Sequence, residues 1–428
     1  MTEYHRCPEA LLDGLADSRG GPGLSRALAE AQVSKHLLLI AGLLREWPGP
    51  AAERDRLAGA IQAARAAAPE AAARALGTPM VGAWAAIAGR AAERGRAERA
   101  DLAHLAAVAV ITCAAAGVDV ELTVGARDGA VALPGLGRAI TGDAATARIA
   151  VIDSTLTIDA GHGPVAIPGN RETGHWLPVR RLRATSGGIG VEIALDDVDP
   201  YRHGYHAPPE PRLSQAEFDR WQELFTEAWR LLTECAPERA AEIAAGLHTL
   251  VPLTGDGRSA RSATIRHVFG VFGLTRPADA ADFAVTLVHE YQHAKLSALL
   301  DVVQLTDPDD GRRYFAPWRT DPRPLAGLLQ GVYAFAGVAD TWRALRDTHA
   351  RRDSAESRFA DARLQVDRSL ATLQASGALT PDGERFATRL RRFVDSLLAV
   401  PLPEPVARRA EQRHRELLER WSAATTAR

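Results

Sequence analysis

LVHEYQHAKLSALLD, residues 287–301, holds the pentapeptide His289-Glu290-x-x-His293 within a stretch whose apolar residues recur at helical spacing. On an α-helix, residues four apart lie on nearly the same face. Two imidazoles at 289 and 293 therefore close on one metal ion, with Glu290 beside the open coordination position. Phe283, Leu287, Val288, Leu296, Leu299, Leu300 and Val303 surround the motif with apolar surface and predict a buried helix, where imidazoles need partners. The structural alternative is a pair of core histidines that only hydrogen-bond.

Two histidines do not complete a site. Hydrolytic zinc takes a third protein ligand, and non-haem iron oxygenases use two histidines with one carboxylate. Asp301, Asp321, Gln330 and Asp340 follow the motif as candidates. Gln330 and Asp340 fall on a helix expected over Leu325–Arg346, which folds back on the first, whereas Asp301 lies about 12 Å further along the motif's own helix and is too far. Upstream, Thr264–Leu274 reads as a strand interrupted by Gly270 and Gly273, and Pro277 and Asp279 open the motif helix. A strand feeding such a helix is the order of zincin-like metal domains, where the strand binds an extended peptide by backbone pairing.

Outward from this core, Pro208, Pro209 and Pro211 mark a linker, after which Ser214 and Glu217 form a capping box. Phe218, Trp221, Phe225, Trp229 and Leu232 then repeat at helical spacing and predict a core-facing stripe. Residues 1–117 read as an all-α module, with helices from about Leu24 to the break at Pro48 and Pro50, then over Ala51–Ala67, Val81–Arg94 and Ala97–Cys113. Residues 118–207 read as a small antiparallel β unit, with strands over Val118–Val124, Arg148–Ile152, Leu156–Asp159 and Gly190–Leu195. His162 and His175 there have no ligand spacing and read as loop histidines. Residues 208–428 form the third unit, a catalytic domain whose helical extension from Arg351 packs on the motif helices. The fold class is α+β, mostly helical, with a zincin-like metal-binding helix domain.

A formal charge of -2 provides no global positive field, so neither nucleic acid nor a membrane surface is an expected partner. The apolar run Leu37–Leu44 is far short of the roughly 20 residues of a membrane span, and the first residues lack a signal peptide's pattern, which predicts a cytoplasmic protein. Cys7, Cys113 and Cys235 are odd in number and far apart, against both a disulfide framework and a thiolate zinc site.

Three ordered blocks, LVHEYQHAKLSALLD (287–301), FAPWRTDPRPL (315–325) and GLLQGVYAF (327–335), together resemble the bacterial family of HExxH peptide-modification proteins that accompany ribosomally made, post-translationally modified peptides. Members are described as iron- and 2-oxoglutarate-dependent peptide β-hydroxylases. The resemblance is strongest over roughly 250–346, weaker across the preceding β unit and absent at the N-terminus, and implies Fe(II) on His289 and His293, 2-oxoglutarate as cosubstrate, and a precursor peptide as substrate. It places the third ligand at Gln330, where relatives carry histidine; a glutamine carbonyl is a weaker ligand.

Residue chemistry points the same way for the second block. The distal carboxylate of 2-oxoglutarate needs a cation, best a guanidinium, and Arg319 and Arg323 sit in a short Pro-bounded segment. The competing expectation is that they form ion pairs with Asp321 and the acidic loop 307–310. In the hydroxylase reading Glu290 orients a ligand or water, or swings in as a ligand itself. Two other functions stay open: a zincin-type zinc metallopeptidase with Glu290 as general base, and a non-catalytic precursor-peptide-binding protein.

Overall fold

The computed structural model describes residues 8–426 apart from 48, 97–98, 206, 256–259, 347 and 349–351, so Cys7 and Pro48 lie outside the described residues. Helices come first: α1 (Glu9–Ala16), α2 (Gly21–Arg45), α3 (Ala51–Ala67), α4 (Pro69–Leu76), α5 (Pro79–Glu93), α6 (Arg99–Ala103) and α7 (Leu105–Ala116). Pro69 and Pro79 stand in the first turns of α4 and α5, where the missing N–H removes no intrahelical bond. Gly117 ends α7 in the left-handed conformation, at φ 66°.

Strands follow: β1 (Val120–Gly125), β2 (Ala130–Leu133), β3 (Gly137–Ile140), β4 (Thr146–Ile152), β5 (Thr155–Asp159), β6 (Val165–Ala166), β7 (Trp176–Pro178), β8 (Arg180–Ser186) and β9 (Ile189–Leu195). Strands β1 to β7 form two small antiparallel sheets, ordered β1-β4-β5-β6 and β2-β3-β7. The remainder is α8 (Gln215–Cys235), α9 (Pro237–Gly246), β10 (Thr249–Pro252), β11 (Ser262–Thr264), β12 (Val271–Leu274), α10 (Ala280–Leu299), α11 (Leu325–Leu345), α12 (Arg352–Gln374), α13 (Pro381–Leu398) and α14 (Glu404–Thr426). The class is α+β.

The segment 264–274 differs from the single interrupted strand expected. It is a hairpin: β11 and β12 pair antiparallel, with Ser262 opposite Leu274 and Thr264 opposite Phe272. The connection 265–270 turns first with the Val268 N–H donating to the Ile265 carbonyl, and Gly270 closes it at φ 75°, where a side chain would also collide with the Gly246 carbonyl. A second difference is that β8 and β9 leave the small antiparallel unit and join a five-stranded sheet, β11-β12-β10-β9-β8, in which β10 runs parallel to both β9 and β12. This sheet thus draws strands from both sides of the Pro208 linker.

Both faces of that sheet are buried. On β10 and β12, Leu250, Phe272 and Leu274 face a core shared with α8, α10, α11 and α13, while Val251 and Val271 face a second core shared with α5, α7 and β4. Burial on two faces explains why these short strands read as continuous apolar runs and not as alternating ones. The Ser214–Glu217 capping box forms, and Trp221, Phe225, Trp229 and Leu232 of α8 are buried as the stripe predicts. Downstream, α12 packs on α11.

By length and composition α2 is apolar enough to cross a membrane. Here it is tied in from several sides: Tyr291 bonds Ser25, Gln32 and Lys35 reach Asp301, and His36 bonds the Leu76 carbonyl. Cys113 is buried with its thiol directed at the Ala60 carbonyl.

Candidate metal centre and cleft

Asp279 starts α10 by accepting hydrogen bonds from the Ala281 and Asp282 N–H groups. From Leu287 to Leu299 every residue of this helix is buried except His289 and His293. Their neighbours are held by protein: Gln292 donates to Ser18 Oγ (2.8 Å), and Lys295 lies 3.0 Å from Glu242 in an enclosed ion pair. The two imidazoles open into a cleft of about 430 Å³ that Glu290 and Ser297 of the same helix also line, and stand edge to face with ring centroids 4.7 Å apart.

Burial, reinforced by His293 and opposed by Glu290, lowers the His289 pKa to about 4, so the ring is neutral near pH 7 and its lone pair is available. His293 is fixed by Gln330: its Nδ1–H donates to Oε1 of the amide at 3.1 Å, which leaves Nε2 as the acceptor nitrogen. Gln330 in turn donates to Ser297 Oγ at 3.3 Å. The amide oxygen expected to reach a metal is thus engaged on the Nδ1 side of His293.

Glu290 is buried beside this pair, with Oε1 3.7 Å from His289 Nε2. Ser262 donates to one carboxylate oxygen at 2.6 Å and Thr264 to the other. Residues two apart on a strand share a face, so β11 presents both hydroxyls together and ties the sheet edge to the motif. Neither residue was picked out from the sequence. The signal that could have found them is hydroxyls at i and i+2 in the run RSATIR.

The opposite wall comes from the loop before α11. Tyr314 and Arg323 exchange backbone hydrogen bonds of 2.8 and 3.0 Å and close the loop that carries Trp318 and Arg319. Trp318 stacks on Phe335 at 4.7 Å and fills the space left by Gly331, where a Cβ would meet the indole. Arg319 and Arg323 both line the cleft, as expected for anion-binding groups, and both also bond Asp321, at 2.7 and 3.2 Å, as the ion-pair alternative expects. Nε of Arg323 is buried with no hydrogen-bond partner among the described residues. Arg266, another residue missed from the sequence, lines the cleft from beyond β11.

The remaining ligand candidates lie elsewhere. Asp301 pairs with Lys35 at 2.7 Å. Asp340 is buried among Arg19, Arg239 and Arg343. Among the described residues no group of three His, Cys, Asp or Glu side chains forms a ready ligand set.

Compared with models of protein families and with curated proteins, the chain matches none.

Proposed function

We propose that the chain is an Fe(II)- and 2-oxoglutarate-dependent oxygenase that hydroxylates a β-carbon in a ribosomally made precursor peptide in the cytoplasm, using a zincin-like pairing of edge strand and HExxH helix. The observation that carries this reading is that His289 and His293 are the two residues not fully buried between Leu287 and Leu299, and they line one cleft with Arg319 and Arg323.

The two imidazoles supply two donors for a divalent metal, one short of the three protein ligands expected from the sequence, and among the described residues no third His, Cys, Asp or Glu joins them. His289 is held neutral, and His293 has its Nδ1 committed to Gln330, so both rings offer a lone pair toward one ion. Iron bound there with 2-oxoglutarate and dioxygen would supply the C–H oxidation, one oxygen atom of dioxygen ending in the peptide hydroxyl and the other in succinate as the keto acid gives up CO2. The chain supplies position. Arg319 and Arg323 take the distal carboxylate of the cosubstrate, with Asp321 holding the two guanidiniums in register. Gln330 orients His293 and is not itself a ligand. Glu290, clamped by Ser262 and Thr264, fixes the motif helix against β11, whose edge receives the peptide.

A zinc peptidase is the second reading, favoured by the carboxylate of Glu290 close to His289 and by the same strand edge. The arginine wall speaks against it, because amide hydrolysis requires no keto acid. Incubating the protein with Fe(II), 2-oxoglutarate and the short peptide encoded beside its gene tests the choice. The hydroxylase reading expects one added oxygen with matching succinate. Cleavage with zinc and no need for 2-oxoglutarate would establish the peptidase, and tight peptide binding with no reaction under either metal would establish a binder.

A further inference from the structure

Strand β11 ends its sheet, and among the described residues no strand pairs with its outer side. Thr275 N–H donates to the Arg261 carbonyl at 2.9 Å, so Arg261 belongs to a hydrogen-bonded pair of the hairpin. In an antiparallel ladder such pairs alternate with open ones. Ala263 therefore bonds to β12, and the N–H and C=O groups of Ser262 and Thr264 point outward along the rim of the cleft. Their hydroxyls hold Glu290, which keeps this edge in a fixed place beside the two histidines.

The rim carries an excess of positive charge. Arg266, Arg319 and Arg323 line the cleft against two carboxylates, Asp321 between the last two and Glu290 held by the strand hydroxyls, which leaves one positive charge over. Past Thr264 the charge continues: His267 is held below the usual imidazole range first by burial and then by Arg90, Lys35 and Arg266, with Asp301 opposing. Lys35 is matched by Asp301, whereas Arg90 and Arg266 have no ion-pair partner among the described residues. In a chain of formal charge -2 this is a local feature.

We propose that the outer edge of β11 and the basic rim from Arg266 to Arg90 form a docking site for an extended, acidic segment of a peptide. Backbone pairing with Ser262 and Thr264 sets the strand alongside the metal helix, and the unmatched guanidiniums select carboxylate side chains. The inference rests on the reading that the cleft acts on a peptide and adds the chemistry of that peptide.

Panning random decapeptides on phage against the full chain, with 2-oxoglutarate present to occupy Arg319 and Arg323, tests it without any turnover. Asp and Glu should be enriched among the selected sequences. For a selected peptide made synthetically, Arg266→Glu should weaken binding by about tenfold, with a loss of similar size when the peptide's Asp residues become Asn. N-methylation of alternate peptide amides should abolish binding. Selected sequences without acidic bias, unchanged binding by Arg266→Glu or by the N-methylated peptide, or an oligothymidylate bound as tightly, would overturn the inference. Such a failure alongside intact metal and 2-oxoglutarate binding leaves the hydroxylase reading standing; a protein that binds no metal ends that reading, while the peptide result is judged separately.

Discussion

His293 and Gln330 meet across α10 and α11 with Nδ1 and Oε1 3.1 Å apart, so the amide grips the side of the imidazole away from Nε2. An outer partner that fixes a ligand's tautomer tunes metal affinity without making the bond itself. Gln330→Ala should therefore weaken metal binding by about 10–100-fold while the metal remains titratable. Metal competition assays on this variant and on His293→Ala separate the roles, because a loss as complete as that of His293→Ala would make Gln330 a direct ligand.

The clamp on Glu290 is a buried carboxylate held by two hydroxyls from one strand. Removing a donor from a buried acceptor costs about 1–3 kcal/mol. Ser262→Ala and Thr264→Val should each lower the urea midpoint by a corresponding amount, and Glu290→Gln in the doubly substituted background should recover part of it. An unchanged midpoint in both single variants would mean that the clamp contributes nothing.

Asp340 separates structure from chemistry on α11. Burial raises its pKa, but Arg239, Arg19 and Arg343 outweigh it and bring the value to about 2. Asp340→Asn leaves Arg239 enclosed without a full counter-charge, which should destabilise the fold by about 3–5 kcal/mol. Folded Asp340→Asn should bind metal as tightly as the parent. A selective loss of metal at unchanged stability would return Asp340 to the list of ligands.

Stability in acid should depend on His104, packed between Trp84 and Tyr201. Burial, helped by Arg127, lowers its pKa to about 3 from 6.5. Below 6.5 the unfolded chain takes up a proton that the folded one refuses, so this contribution is complete above 6.5 and is lost as pH falls toward 3. The slope is about 1.4 kcal/mol per pH unit for one proton. Denaturation of His104→Asn at about pH 7 and about pH 5 should show a shallower acid-side loss than the parent. Equal slopes would show that His104 titrates normally in the fold.

Arg319 and Arg323 make a prediction with two readouts. Charge-assisted hydrogen bonds contribute about 1.5–3 kcal/mol each, so Arg319→Ala and Arg323→Ala should each weaken 2-oxoglutarate binding by about 10–100-fold and leave metal affinity alone. Calorimetry, with metal titrated into metal-free protein and 2-oxoglutarate into metal-loaded protein, reports the two quantities. Unchanged cosubstrate affinity in both variants would remove the arginine wall from the site.

Elements with a strong local signal were legible. α3 spans Ala51–Ala67 as its composition and flanking prolines indicate, and α11 spans Leu325–Leu345, one residue short of the expected end. The Ser214–Glu217 box and the Asp279 cap are local chemistry, decided within one helical turn. Short α1 and α4, and strands β2, β3, β6, β7 and β10, were not expected, because their few residues carry too little periodicity; seven-residue β8 was not expected either, its Arg180, Arg181 and Arg183 masking a strand pattern.

By itself the sequence determined the helix that carries His289, Glu290 and His293, and the apolar surround that buries it, since both follow from a 3.6-residue period and backbone hydrogen bonds within one segment. Tertiary structure alone decided what surrounds those side chains. Gln330 arrives from 37 residues downstream to hold His293, and Ser262 from 28 residues upstream to hold Glu290. Asp321 joins two arginines that spacing left uncommitted. Such contacts depend on how a hairpin and two helices pack, and packing is fixed by the shape and burial of whole surfaces, which no local pattern of residues encodes.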